Sequence, residues 1–489
     1  MTDQSLNNKI GQLFMIGLQG TTLDDITRQR IHDLGIGSII LFSKNTPDPT
    51  TTNALTKALH EESIKKHQCP MLIAIDQEQG RVMRIEKGMT CFPGQYALGK
   101  INQTEMTRKV AQITGLELKA LGINLNLSPV ADINNNPLNP IIGSRSFGED
   151  PRLVSTMVNE TIAGFFDVGM LSCTKHFPGH GDVTIDSHLD LPVIHKSLQE
   201  LMENELMPFQ SSIQNNVPMI ITAHILFPAI DSEYPATASK IIINQILRED
   251  MGHQGVIISD DIEMKALCAH YPMPDLVIDI INAGCDMIIF SENMKSGLVF
   301  EDIYHTVYDA VISGKISSER LEQAVDRIKH LKKQMVSMAS IGDSRTINHS
   351  AHQSFSHTVT QNAFKTNPDA KHFPISLHQQ HIALISDHHP LISHFSHPHI
   401  HSLYLTDKTK PYDIHKLIDK MNEIWMFISS YKNYLILQQT LQSLAIPLRV
   451  FSLNDPYMNQ KMQIECDSYI NLFTTRVPIE SLISLLVSV

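Results

Sequence analysis

The chain has 489 residues, 42% of them apolar and 18% charged, a globular composition too long for one ordinary domain and suited to a barrel-sized unit plus a smaller one. Its 39 basic against 51 acidic residues leave a formal charge of −12, which opposes attraction to nucleic-acid phosphates or anionic lipid, so neither nucleic acid nor a membrane is an expected partner. The six cysteines (Cys69, Cys91, Cys173, Cys268, Cys285 and Cys466) form no C-x-x-C pair, the first residues lack a basic segment leading into an apolar one, and no apolar run is long enough to span a bilayer; the expectation is a cytoplasmic protein with reduced thiols.

From residue 8 to about 335, short apolar runs alternate with amphipathic stretches. Eight such runs stand out: Gly11 to Leu18, Gly37 to Phe42, Met71 to Asp76, Leu125 to Ala131, Leu171 to His176, Met219 to His224, Gly255 to Asp260 and Asp286 to Phe290. Several are rich in Val, Ile and Leu on both faces, as strands of a parallel sheet covered on both sides must be. Between them lie helical patterns. Asn102 with Glu105 and Ser197 with Glu200 have capping-box spacing, Gly122 suits a helix stop, and Leu321, Val325, Ile328 and Leu331 mark one apolar helix face. Eight βα units imply a (β/α)8 barrel, whose active site would lie at the C-terminal strand ends.

Polar residues gather where that rule puts them. Run three ends in Asp76-Gln77-Glu78-Gln79-Gly80-Arg81 and continues to Arg84, run four leads to Asp132 and then to Arg145, and run five ends in Lys175-His176. Run six ends in His224, and run seven in Ser259-Asp260-Asp261. Five strand ends carrying charge or imidazole are hard to attribute to surface solvation.

The segment after run five reads Lys175-His176-Phe177-Pro178-Gly179-His180-Gly181-Asp182, followed by Asp186-Ser187-His188. Taken alone, a loop of His, Gly and Pro turns the chain and presents solvated imidazoles. The order KHFPGHGD...DSH, however, resembles the signature of the family 3 glycoside hydrolases in their β-N-acetylglucosaminidase branch, and Gly255 to Met264 resembles the family's nucleophile segment. The resemblance implies Asp260 as the nucleophile, with Asp261 the neighbour to exclude. The bland role for Asp260 is to cap the following helix, which Ser259 or Asp261 could equally fill. It further implies His188 as acid/base: an imidazole titrating near neutral pH can protonate a leaving oxygen and then activate water. Asp186 would accept from its other ring nitrogen. The glycines of this loop suit motion on and off the barrel mouth.

By the same resemblance Asp76, Arg84, Arg145, Lys175 and His176 should hold sugar hydroxyls, with Arg81 and His224 behind them. One departure is Gln79, where the family usually has glycine; its side chain would either crowd the turn or reach a ligand. No cofactor is implied.

From Met338 to His372 the composition turns to Ser, Thr, His, Asn and Gln without clear periodicity and reads as a linker, dividing the chain into a catalytic barrel over 1–337, a linker over 338–372 and a small α/β domain over 373–489. His381 to Ser386, Ile424 to Ser429 and Pro447 to Phe451 look like strands and Tyr434 to Leu444 like a helix, resembling a shortened form of the α/β sandwich domain that follows the barrel in many family 3 enzymes; Ser452 to Tyr457 resembles one of its turns. The histidines at 378, 381, 388, 389, 394, 397, 399 and 401 follow no zinc-ligand spacing, so no metal is expected.

The implied activity is a retaining exo-β-N-acetylglucosaminidase taking terminal N-acetylglucosamine, with muropeptides of peptidoglycan recycling as the cellular substrate. A glycoside phosphorylase on the same site, a β-glucosidase and a catalytically dead sugar-binding module are the competing readings. Phosphate dependence separates the first, and paired aryl glycosides of glucose and N-acetylglucosamine the second. The presence of both Asp260 and His188 speaks against the third. The oligomeric state is left open.

Overall fold

A computed structural model of the chain describes residues 3–291, 296–337 and 344–366, together with seven strand segments beyond residue 374. The strands of the first part are β1 (Phe14–Ile16), β2 (Ser38–Leu41), β3 (Leu72–Ile75), β4 (Leu125–Asn126), β5 (Leu171–Ser172), β6 (Thr174–Phe177), β7 (Met219–Thr222), β8 (Val256–Asp261) and β9 (Met287–Phe290). They follow one another in a single parallel sheet in the order β5-β4-β3-β2-β1-β9-β8-β7-β6. The first and last members of that order are one run of chain, interrupted only at Cys173, so the fifth run pairs with β4 on one side and β7 on the other and closes the ring. All eight apolar runs read from the sequence are thus strands of a (β/α)8 barrel.

The runs are buried because each faces the barrel interior on one side and a helix layer on the other; β1, β2, β3, β7 and β9 are buried at every position. Local signals start the helices. Asp48 accepts from Thr51 N ahead of Pro49, Asp150 accepts from Arg152 N ahead of Pro151, and Ser197 with Glu200 makes the expected capping box. The capping box expected at Asn102 does not form. Asn102 is left-handed (φ 52°) and ends the helix Gln95–Ile101, so it cannot take the extended backbone of an N-cap, and Gln103 precedes the helix Thr104–Ala120 with no side-chain cap.

The N-terminal ends of the strands are closed by the helix Ser318–Ser337, whose Leu321, Ala324, Val325, Ile328 and Leu331 are buried. At one end Arg320 and Arg327 bond Asp286, just before β9; at the other Lys332 Nζ donates to the Gly37 carbonyl just before β2 (2.7 Å) and to Gln12 Oε1 (2.6 Å). The helix therefore lies across the floor of the barrel. This leaves the C-terminal strand ends as the open side.

Within the stretch read as a linker, Ser350–Lys365 is a helix packed on the barrel's outer layer. Its Val359, Ala363 and Phe364 are buried, Phe355 meets Phe92 edge-on at 6.2 Å, and His352 Nδ1 bonds Glu117 Oε1 (2.7 Å). Beyond it, strands β10 (Ile375–Ser376), β11 (Ile382–Ser386), β12 (Ile400–Tyr404), β13 (Glu423–Ile428), β14 (Leu448–Ser452), β15 (Ser468–Asn471) and β16 (Val487–Ser488) are described. Five make a parallel sheet in the order β12-β11-β13-β14-β15, and β10 pairs with β16. Three of them lie within a residue of the strands expected at 381–386, 424–429 and 447–451. The expected helix at 434–444, the turn beyond Ser452 and the histidines other than His401 lie outside the described residues.

Candidate active site

A cavity of about 370 Å3 opens at the C-terminal strand ends and is lined by Asp76, Glu78, Arg84, Arg145, Lys175, His176, His180, Asp186, His188 and Asp260, with Ile141, Val82, Phe42 and Met264 as apolar wall. It brings together nine of the ten residues singled out from the sequence, Arg81 among them although it was expected behind the sugar contacts. They come from the ends of β3, β6 and β8 and from the loops after β3, β4 and β6, which are separated by up to 184 residues in the chain (260 − 76). The tenth, His224, is not in the wall. Its Nε2 lies on the Asp261 carbonyl (3.0 Å), and burial lowers its pKa.

Most of the wall is an ion-pair lattice. Lys175 Nζ meets Asp76 Oδ1 at 2.7 Å and Glu78 Oε1 at 2.6 Å, Arg84 meets Asp76 Oδ2 at 3.1 Å, and Arg145 holds Glu78 by two parallel bonds of 2.8 Å. Burial works against both carboxylates, but the cations outweigh it: Lys175 and Arg84 hold Asp76 well below the usual carboxylate range, and Arg145 and Lys175 push Glu78 down to about 2. Lys175 is in turn held more firmly charged by Asp76 and Glu78 than its burial alone would permit. Glu78 was not among the residues singled out as sugar contacts. The signal was present, since it follows Asp76 by two residues at the same strand end.

Beneath the lattice, Asp132 fixes the histidines. One oxygen takes the ring Nδ1 of His176 (2.7 Å), and the other takes the backbone N–H groups of His176 (3.1 Å) and His180 (2.7 Å). His176 therefore presents Nε2 to the cavity, within 3.4 Å of Arg145. The Lys175–His176 and Phe177–Pro178 peptide bonds are cis.

Asp260 differs from the other carboxylates. Among the described residues it is in no ion pair, and it accepts one bond, from its neighbour's N–H (Asp261 N, 2.8 Å). Burial opposes its charge, but the imidazoles of His176 and His224 outweigh it and hold the carboxyl below the usual range, so it is ionised at neutral pH. The side chain of Asp261 instead is engaged with Ser291, whose hydroxyl donates to Oδ2, and with Glu263 N (3.1 Å). Burial raises its pKa to about 7. Successive residues of a strand face opposite sides, so the two carboxylates of β8 meet different surroundings; the pairing of β8 with β9 also shifts register between Ile258 and Asp261.

His188 is about half exposed at the cavity rim, and Asp186 Oδ1 accepts both its Nδ1 (2.8 Å) and its backbone N–H (2.7 Å). That bond leaves Nε2 as the atom available for proton transfer. Gln79, the departure from the family's glycine, turns away from the cavity. It adopts φ 70° and is buried, with Nε2 on Thr114 Oγ1 (3.0 Å) and Oε1 taking Phe92 N (3.1 Å). It neither crowds the turn nor reaches a ligand; the two amide bonds offset the left-handed backbone. Among the described residues no group of three or more His, Cys, Asp or Glu could hold a metal ion.

Comparison with known proteins gives this constellation a context. The profile of the glycosyl hydrolase family 3 N terminal domain matches residues 5–331. Beta-hexosaminidase A of Pseudoalteromonas piscicida is 37% identical over 332 residues, 64% of this chain and 56% of that protein, so the chain spans little more than half of that relative's length. Beta-hexosaminidase of Thiobacillus denitrificans is 34% identical over 281 residues, 56% of this chain and 77% of that protein. Among solved structures, a glycoside hydrolase family 3 beta-N-acetylglucosaminidase from Paenibacillus sp. str. FPU-7 superposes with a TM-score of 0.86 at 28% identity, covering 100% of this chain and 98% of that one. NagZ from Neisseria gonorrhoeae, solved with N-trifluoroacetyl-D-glucosamine, superposes with a TM-score of 0.59 at 29% identity, covering 72% and 98%.

Proposed function

The chain belongs to glycosyl hydrolase family 3, and on that footing we propose that it is a retaining exo-β-N-acetylglucosaminidase that removes terminal N-acetylglucosamine by double displacement. The observation that carries the reading is the pairing, across one cavity, of an ionised carboxylate outside any described ion pair (Asp260) with a rim imidazole oriented by a carboxylate (His188 on Asp186). Relatives named beta-hexosaminidase support the substrate class.

In the first step Asp260 attacks the anomeric carbon as the glycosidic bond breaks, and the departing oxygen takes the proton from His188 Nε2. Asp186 holds the ring through Nδ1, which leaves Nε2 for this transfer. The sugar is then esterified to Asp260. In the second step His188, now neutral, takes a proton from water as that water attacks the same carbon, and Asp260 leaves with its electron pair. Asp76, Lys175, Glu78 and Arg145 grip the hydroxyls of the terminal sugar, against an apolar wall of Phe42, Val82, Ile141 and Met264. We place the activity in the cytoplasm on muropeptides of peptidoglycan recycling. The five described cysteines are free thiols, and no described helix is long and apolar enough to cross a membrane.

The test is a leaving-group comparison. With His188→Ala, the first step on a 2,4-dinitrophenyl N-acetylglucosaminide should be nearly preserved, because that phenolate needs no proton. The first step on N,N′-diacetylchitobiose should fall by roughly 10²-fold or more. Azide, which needs no general base, should partly restore turnover as the glycosyl azide. Equal losses on both substrates with no azide effect would return the proton donor to Glu78 or His180.

A further inference from the structure

Between residues 184 and 191 every side chain is exposed or half-exposed except one, that of Ser187, at 2% exposure. The segment that carries the Asp186–His188 pair thus has no apolar anchor of its own. The neighbouring residues Ile185 and Leu189 point to solvent at 44% and 67% exposure. Ser187 alone turns inward, and it makes two bonds there. Its hydroxyl lies 3.2 Å from His180 Nε2, and its carbonyl accepts Ala266 N at 3.2 Å.

Both partners are fixed from outside the segment. His180 is held by Asp132 through its backbone N–H (2.7 Å), by Asn139 Nδ2 on its carbonyl (2.8 Å), and by edge contact with the His176 ring at 5.6 Å. Burial lowers its pKa to about 4, so near neutral pH it is an uncharged imidazole able to share one proton with a hydroxyl. Ala266 belongs to the short helix that follows the strand bearing Asp260. One residue therefore ties the segment to His180 in the cavity wall on one side and to the helix after the strand of Asp260 on the other.

We propose that Ser187 is the positioning residue that pins the acid/base segment over the cavity, through His180 Nε2 and Ala266 N, and so sets the fraction of time His188 is in reach of the leaving oxygen. The proposal rests on His188 being the acid/base. One hydrogen bond biases a closed-to-open equilibrium by a limited factor, and the loss on removing it is correspondingly limited, roughly three- to tenfold. It does not touch steps that need no proton.

The experiment measures first-step rates by stopped flow for N,N′-diacetylchitobiose and for 2,4-dinitrophenyl N-acetylglucosaminide. Ser187→Ala should slow the disaccharide roughly three- to tenfold and the aryl substrate less than about twofold. Ser187→Thr, which keeps the hydroxyl, should restore the ratio. His180→Phe removes the same bond from its other end, so the double variant should be no slower than the slower single one. A ratio of the two substrates unchanged in Ser187→Ala, or losses that multiply in the double variant, would overturn the pin. If His188→Ala itself shows no leaving-group dependence, the acid/base reading fails first. If it shows one and Ser187→Ala does not, the pin alone is wrong.

Discussion

The two ends of the barrel carry the same chemistry put to different uses. At the floor, Asp286 is wholly buried among three guanidinium groups, Arg248 at 2.9 Å, Arg320 at 2.6 Å and Arg327 at 3.0 Å, and its Oδ2 also takes Ile257 N at 3.1 Å. Every acceptor is spoken for, and the cluster ties the starts of β8 and β9 to the floor helix. At the mouth, Asp76 and Glu78 are equally well paired, yet their cations also face a cavity, and beside them is Asp260 with a single backbone partner. A buried ion cluster therefore does not mark a site. What marks one is a charge left short of partners where a ligand can reach it.

The contrast is sharpest in a pair of alanine substitutions. Asp260→Ala should cut turnover by roughly 10⁴-fold or more while leaving the thermal midpoint within a few degrees, since it removes a group on which little else depends. Asp286→Ala removes the buried counter-ion shared by three half-buried guanidinium groups and should cost about 3 kcal/mol of stability, read by denaturant unfolding. A slow 2-fluoro substrate should label Asp260. Label on Asp261, or inversion at the anomeric carbon, would remove Asp260 from its role.

Glu78 belongs to both kinds of region, being fully paired and yet in the cavity wall, so its substitution locates the boundary between them. Glu78→Gln keeps the shape but weakens the hold on Arg145 and Lys175, and kcat/KM should fall roughly 10- to 100-fold, mainly through KM. A collapse of kcat with KM unchanged would instead make Glu78 a participant in proton transfer. Stability should respond as well. Its folded pKa lies below the ordinary carboxylate value, so its ionised form adds stability above the ordinary value that is lost as pH falls toward about 2. Glu78→Gln should flatten the acid side of the stability curve.

The eight strands were legible because a strand covered on both faces must be apolar along its length, and the polar ends of those runs already traced the mouth. What the sequence hid follows from distance and from context. Asp132 was visible as a strand-end acid, but its grip on His176 and His180 joins residues 44 and 48 positions apart, which no local pattern reports. Gln79 stood out as a departure, yet whether it faced the cavity depended on Thr114 and Phe92, residues from other segments. The helix at 350–365 escaped because its buried face mixes Val359 and Phe364 with Ser356 and Thr360, which blurs the apolar period. His224 ends its strand and was expected behind the sugar contacts, but its partner, the Asp261 carbonyl, is 37 positions away, which no local pattern reports.

The smallest effect separates the two adjacent carboxylates of β8. Burial and the nearby Glu263 raise Asp261 to about 7, although the Ser291 hydroxyl works the other way, while Asp260 is held low. Between the ordinary carboxylate range and pH 7 the folded chain therefore keeps a proton on Asp261 that the unfolded chain has released. The folded state binds more protons across that window, so this group makes stability fall as pH rises, by at most about 1.4 kcal/mol per pH unit. Asp261→Asn, with no proton to hold, should remove that slope, leaving an unfolding curve flatter between about pH 4 and 7 and higher at its alkaline end. Because Asn can still accept from Ser291 and its backbone N–H still reaches Asp260, turnover should fall by no more than about tenfold. Asp260→Asn should show the reverse, no turnover and a stability slope across that window that is kept in the main, reduced only by the loss of the charge of Asp260 beside Asp261. Were Asp261→Asn instead to abolish turnover, the difference in surroundings between these two carboxylates would not be a difference in function, and the nucleophile would have to be sought at Asp261.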